Sequence, residues 1–137
     1  MKSPKGPILI AEDNDDVRGL LQSFVESKGY KAITASDGSE ALEVLKHNQP
    51  ALIVMDLNMP VTDGFTAACR AREQERLCQI PIVFVTAHGT LGIELYQNLS
   101  MLGGGQIEYL PKPVDLQLFE DIIHRLIPES DQTVIIE

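Results

Sequence analysis

Residues 52–64 read LIVMDLNMPVTDG, and the reading of this stretch decides the fold. Four apolar residues, Leu52, Ile53, Val54 and Met55, run straight into an acid, Asp56. A run so short and unbroken suits a strand covered on both faces. Pro60 stops the extended segment, and Asp63-Gly64 supplies turn chemistry before a helical pattern resumes. Asp56 is therefore placed at the carboxyl end of a buried strand. A desolvated carboxylate needs a partner or a task. Asp63, beside the helix start, reads as a cap. Asp56 reads as functional, provided other strand ends bring matching chemistry to the same place.

Outward from this stretch, strands and helices alternate. Residues 8–11 are a short apolar run ending at Glu12-Asp13. Val17, Leu20, Leu21, Phe24 and Val25 then recur at helical spacing, with Asn14, Asp15 and Asp16 as candidate caps and Gly29 closing the end. Residues 31–35 predict a second strand. Asp37-Gly38-Ser39 predicts a turn and cap before Ala41, Leu42 and Leu45 on one helical face. After Gly64 comes a charged helix of weaker amphipathicity, with Phe65, Ala68 and Cys69 as its apolar side. Residues 82–85 predict a buried strand ending at Thr86, and 107–110 a fifth ending at Lys112-Pro113. Between them Ile93, Tyr96, Leu99 and Leu102 hint at a helix, broken by Gly103, Gly104 and Gly105. Leu116, Phe119, Ile122, Ile123 and Leu126 make a final amphipathic helix, with Asp115 as its cap. Alternation of this kind implies a parallel sheet covered on both faces, with ligands beyond the carboxyl ends of its strands.

The totals agree. The chain has 137 residues, 44% of them hydrophobic, which suits one domain with a proper core. A formal charge of −9 repels phosphate backbones and anionic lipid, so nucleic acid and membrane surfaces are not expected partners. Cys69 and Cys78 match no metal or redox spacing and read as free thiols. No stretch reaches transmembrane length, and the start MKSPKGP lacks the apolar segment of a signal peptide. A cytoplasmic protein is the expectation.

The residues just beyond the strands make up the candidate site. The first strand delivers Glu12 and Asp13, the third Asp56, the fourth Thr86 and the fifth Lys112. If the first and third strands are neighbours, three carboxylates crowd one crevice and disfavour each other's ionisation unless a cation compensates. Oxygen ligands without cysteine or histidine suit Mg²⁺, which keeps waters and works with phosphate. Lys112 adds a compact positive charge and Thr86 a hydroxyl. Such a set can accept a phosphoryl group on a carboxylate.

The segments ILIAEDND, LIVMDLNMPVTDG, IVFVTA and EYLPKPV, in this order, resemble the response-regulator receiver domain of two-component signalling. The resemblance covers residues 7–127. It implies an α/β fold, a doubly wound five-stranded parallel sheet of order 2-1-3-4-5, flavodoxin-like (CheY-like), with helices on both faces. The receiver domain would span residues 1–128, with 129–137 a C-terminal tail or linker. By position, Asp56 would be the phosphoacceptor. Asp13 would bind Mg²⁺ directly, Glu12 through water, and Asn58 through its backbone carbonyl. Thr86 and Lys112 would contact the phosphoryl oxygens, Lys112-Pro113 would be a cis peptide, and Tyr109 would join Thr86 as the switch. The implied partner is a histidine kinase or histidine phosphotransfer protein, and a phosphorylation-dependent homodimer is allowed. The implied module is no metabolic enzyme: it assists only its own phosphorylation and dephosphorylation.

Plainer readings stand beside these. Thr86 could be an ordinary strand-end threonine, Tyr109 a core aromatic, Lys112 a solvated lysine and Glu12 a cap. His88 reads as an exposed loop residue, His47 and His124 as helix-surface residues, and Cys69 as core. A haloacid-dehalogenase-type phosphatase needs a second aspartate two residues after the nucleophile, where this chain has Asn58. A flavodoxin-like electron carrier needs a Ser/Thr/Gly-rich phosphate loop, where this chain has AEDNDD. A receiver-like module that never gains phosphate would not need the full residue set. The stretch between Thr86 and Tyr109 is longer than in a typical receiver and rich in glycine, so its helix is expected to be short, displaced or partly ordered.

Overall fold

The structure, a computed structural model, describes residues 5–59, 63–87 and 103–127. The helix expected around Ile93–Leu102, His88, Gly89, Gly92, Pro60 and the tail 129–137 lie outside the described residues. Five strands run β1 (Lys5–Ala11), β2 (Tyr30–Ala35), β3 (Leu52–Asp56), β4 (Ile82–Thr86) and β5 (Ile107–Pro111). The described helices are α1 (Asp15–Ser27), α2 (Gly38–Leu45), α3 (Gly64–Arg72) and α4 (Leu116–Leu126). All described strand pairs are parallel, in the order β2-β1-β3-β4-β5. The resemblance implied this order, and it puts β1 beside β3 where the winding reverses.

Alternation along the strands divides the core. On one face Leu9, Ile53, Met55, Ile82 and Phe84 pack with Ala41 and Leu45 of α2 and Ala67, Ala68 and Ala71 of α3. On the other, Ile8, Ile10, Val54, Val83 and Val85 pack with Leu21 and Val25 of α1 and Phe119, Ile122 and Ile123 of α4. Every residue of β3 and β4 is buried, as an apolar run covered on both faces requires. β1 starts earlier than the apolar pattern shows. Its register shifts between Lys5 and Ile8, around Pro7, which has no N–H to give to a ladder.

The capping residues sit where their chemistry predicts. Asn14, Asp37, Asp63 and Asp115 each accept a backbone N–H in the first turn of their helix. Gly29 takes φ 95° just beyond α1, the left-handed geometry that glycine adopts at helix ends. The apolar side of α3 is corrected in part: Ala68 is buried as expected, Ala67 and Ala71 join it, and Phe65 and Cys69 are half-buried. Phe65 packs against this cluster from outside. His47 stands exposed just past α2, and His124 is exposed on α4. Among the described residues, no helix is long and apolar enough to cross a membrane.

Candidate functional site

The carboxyl ends of β1, β3, β4 and β5 deliver the chemistry. Asp56 is the last residue of β3 and is buried. One of its carboxylate oxygens accepts the Asn58 N–H at 3.0 Å, and the other faces the Lys112 ammonium at 3.3 Å. Glu12, next after β1, is also buried. Its Oε2 accepts the Lys112 ammonium at 3.0 Å and the Asn14 N–H at 3.1 Å. Lys112 comes directly after β5, so its side chain reaches past the end of β4 to bridge acids on β1 and β3. Its own N–H donates to the Thr86 carbonyl at 2.7 Å, and the Lys112-Pro113 peptide is cis, as the resemblance implied.

Glu12, Asp13 and Asp56 each offer a carboxylate oxygen, all within 4.8 Å of one another. Burial, above all, raises the Glu12 carboxyl from its ordinary 4.5 to about 7, and the nearby Asp56 adds to the rise. The sequence attributed this crowding to like charge; desolvation is the larger cause. Glu12 Oε1 is buried with no hydrogen-bond partner among the described residues. A buried, unpartnered carboxylate oxygen on a residue grouped with two other acids, one of them exposed, fits a hard divalent cation with retained waters. For Lys112, burial works against the charge, but Glu12 and Asp56 outweigh it and the net shift is upward.

The other expected residues fall around this centre. Asp13 is exposed beside Glu12. Thr86 ends β4 and is buried. Asn58 is exposed and presents its N–H to Asp56. Tyr109 is half-buried on β5, its ring stacked on Phe84 with centroids 6.2 Å apart.

Three residues with a structural part escaped the sequence, two beside the site and one at the other end of the sheet. Gly64 packs against the Asp56 backbone, where a Cβ would stand 2.1 Å from the Asp56 carbonyl oxygen. Arg18 donates to the Glu12 carbonyl at 2.9 Å. Arg72, buried at the far end of α3, bonds the Ile80 and Gly105 carbonyls. Gly64 had a signal in the Asp63-Gly64 pair, which read as a turn. The arginines had none, since each acts on a backbone carbonyl that side-chain spacing does not reveal.

A doubly wound sheet with an acidic, lysine-bridged cleft at its reversal defines a receiver-type signalling domain. The chain belongs to the response regulator receiver domain family, which matches residues 8–124. It is 35% identical over 123 residues to the response regulator Rre1 of Synechocystis, a match taking in 88% of this chain and 51% of that protein. The chain thus spans about half the length of this relative. It is 31% identical to the polar-differentiation response regulator DivK of Brucella ovis, over 85% of this chain and 91% of DivK. Among solved structures, the receiver domain of the sensor histidine kinase PA1611 from Pseudomonas aeruginosa superposes with a TM-score of 0.78 at 29% identity, covering 90% of this chain and 98% of that one. That structure has a magnesium ion coordinated in its active site cleft. The function is that of a receiver domain in two-component signalling.

Proposed function

We propose that Asp56 is the phosphoacceptor of this receiver, taking its phosphoryl group from a phosphohistidine on a histidine kinase or histidine phosphotransfer protein. The observation that carries this is Lys112, whose ammonium bridges Asp56 and Glu12 at the buried strand ends. In the transfer, an Asp56 carboxylate oxygen forms the new P–O bond as the P–N bond breaks. The electron pair stays on the imidazole nitrogen, which takes a proton from solvent. The Asn58 N–H and Lys112 hold the Asp56 carboxylate in place for attack. Lys112 then exchanges a carboxylate contact for a phosphoryl oxygen, a charge it can track without desolvating further. Thr86, at the neighbouring strand end, offers a hydroxyl to the same group.

Glu12, Asp13 and Asp56 would hold Mg²⁺, with the Asn58 backbone carbonyl as a further ligand and Glu12 acting through water. Bound there, the ion supplies positive charge to the phosphoryl oxygens. The chain is thus a switch rather than a metabolic enzyme. Thr86 and Tyr109 would pass the acyl phosphate signal to the surface. We place the receiver unit at residues 1–128 and the cytoplasm as its compartment. We expect no nucleic acid binding by this domain, and a homodimer only in the phosphorylated form.

The test is intact-mass measurement after incubation with acetyl phosphate and Mg²⁺. One phosphoryl group should add to the parent chain and none to Asp56→Asn. Equal labelling of the two would overturn the assignment of Asp56.

A further inference from the structure

We propose that Arg18 is a positioning residue for the cation site, holding the Glu12–Asp13 peptide in the orientation that metal binding needs. This rests on the reading of Glu12, Asp13 and Asp56 as that site. Arg18 lies in the second turn of α1, and its side chain runs back over the helix start. Nη1 donates to the Glu12 carbonyl at 2.9 Å, and Nη2 to Asp15 Oδ1 at 2.5 Å. A planar guanidinium engaged at both prongs has little freedom left.

The carbonyl it grips belongs to the peptide that joins Glu12 to Asp13. A peptide unit is a rigid plane, so holding its oxygen holds the plane and the place of the Asp13 Cα at its far corner. The rest of Glu12 is already tied. Its N–H donates to the Ala35 carbonyl at 3.0 Å, and its carboxylate accepts the Asn14 N–H at 3.1 Å. Asp13 is exposed, so packing does not hold its carboxylate, and the place of its Cα sets what that carboxylate can reach.

The ion pair with Asp15 does not explain an arginine here. Asp15 is 86% exposed, and an ion pair in such a place contributes little. Charge does not explain it either. A guanidinium beside a cation site repels the cation, so through charge alone Arg18 would weaken binding. Positioning and charge therefore predict opposite signs when Arg18 is removed.

Mn²⁺ binding to the full chain, read by electron paramagnetic resonance of the free ion with Mg²⁺ as competitor, separates them. Arg18→Ala should weaken Mn²⁺ binding about 10-fold, the lower end for loss of a group that orients a ligand. Its melting temperature in EDTA should move by no more than about 3 °C. Arg18→Lys, whose ammonium can reach one acceptor but cannot fork, should fall between Arg18→Ala and the parent. Asp13→Ala serves as the control and should weaken binding more than either. If Asp13→Ala weakens binding while Arg18→Ala leaves it unchanged or tightens it, the positioning role is overturned and the cation site stands. If Asp13→Ala has no effect, the cation site itself is overturned, and Arg18 falls with it. An affinity loss tracked by an equally large loss of melting temperature in both Arg18 variants would assign Arg18 to folding and overturn the proposal.

Discussion

Gly64 lies so close to Asp56 that a Cβ added to it would stand 2.1 Å from the Asp56 carbonyl oxygen and 3.0 Å from the Leu57 Cα. Each of these obstructing atoms is backbone, and none can swing aside as a flexible side chain would. The Gly64 N–H also donates to the Leu57 carbonyl at 3.1 Å. The start of α3 is thus seated directly on the peptide that carries the proposed phosphoacceptor. A side chain at this position must push either the helix or Asp56.

Gly64→Ala should therefore cost both stability and chemistry. Overpacking of this kind destabilises by about 1–3 kcal/mol, visible as a lower urea midpoint. Labelling of Asp56 by acetyl phosphate should slow as well, because the carboxylate moves with its backbone. A variant as readily labelled as the parent, but less stable, would mean that α3 retreats and leaves Asp56 where it was.

Lys112→Met removes the one ammonium shared by Glu12 and Asp56. Two buried carboxylates then face each other without that counter-charge. Because 21% of the Lys112 side chain is exposed, the cost should fall below that of a fully buried pair, at about 1–3 kcal/mol at pH 7 without metal. The upward shift at Lys112 means that its own charge is kept through neutral pH and is lost as pH rises through its raised value, while on the acid side the pairing fades as Glu12 takes up its proton. Denaturation at pH 7 and pH 4 is the check. The deficit should shrink at pH 4, where protonated Glu12 needs no partner. A deficit equal at both values would point to lost packing instead.

Glu12 sets the pH dependence of the metal-free protein. Its carboxyl rises from 4.5 to about 7 on folding, so the folded state binds its proton more tightly than the unfolded state does. Stability from this group is full below pH 4.5 and is lost as pH climbs to 7. The loss is on the order of 2–3 kcal/mol at most, since the group is coupled to Lys112 and Asp56. Melting curves in EDTA should show Glu12→Gln gaining on the parent between pH 5 and pH 8. Parallel curves for the two proteins would show that Glu12 titrates alike in both states.

The parts of this molecule that were legible in the sequence are those written in local pattern. The run from Leu52 to Asp56 announced a strand covered on both faces, and Asn14, Asp37, Asp63 and Asp115 announced four helix starts. Glu12, Asp13, Asp56 and Lys112 were legible as a candidate site because parallel strands bring their carboxyl ends together. Strand order was not legible from pattern alone, since any order buries the same apolar runs; the resemblance supplied it. The buried side of α3 was misjudged because the larger Phe65 and Cys69 look more like core than alanines do. Ala68 was read correctly, and the phase of the helix buries Ala67 and Ala71 with it. Gly64 and Arg18 were hidden because their partners are backbone atoms brought near only by the fold.

Arg72 poses the same problem at the other end of the sheet. Its guanidinium is buried, and burial lowers its pKa. It donates to the Ile80 carbonyl at 2.6 Å and to the Gly105 carbonyl at 3.0 Å, ahead of β4 and β5. Gly104 takes φ 79° here, and a Cβ on it would meet the Cys78 carbonyl oxygen at 2.1 Å and the Arg72 Cδ at 3.1 Å. The arginine thus ties the end of α3 to the segments that enter two strands. Arg72→Met keeps much of the volume but leaves two carbonyls without their donor, so a loss of about 2–4 kcal/mol is expected. Arg72→Lys should recover only part, because an ammonium lacks the fork that spans both carbonyls. The site lies at the opposite ends of these strands, so Mn²⁺ affinity should stay within about 2-fold of the parent while the urea midpoint falls, as separate regions contribute independently. A matching fall in Mn²⁺ affinity in the folded variant would instead make α3 a rigid link, carrying a disturbance at Arg72 through Gly64 to Asp56.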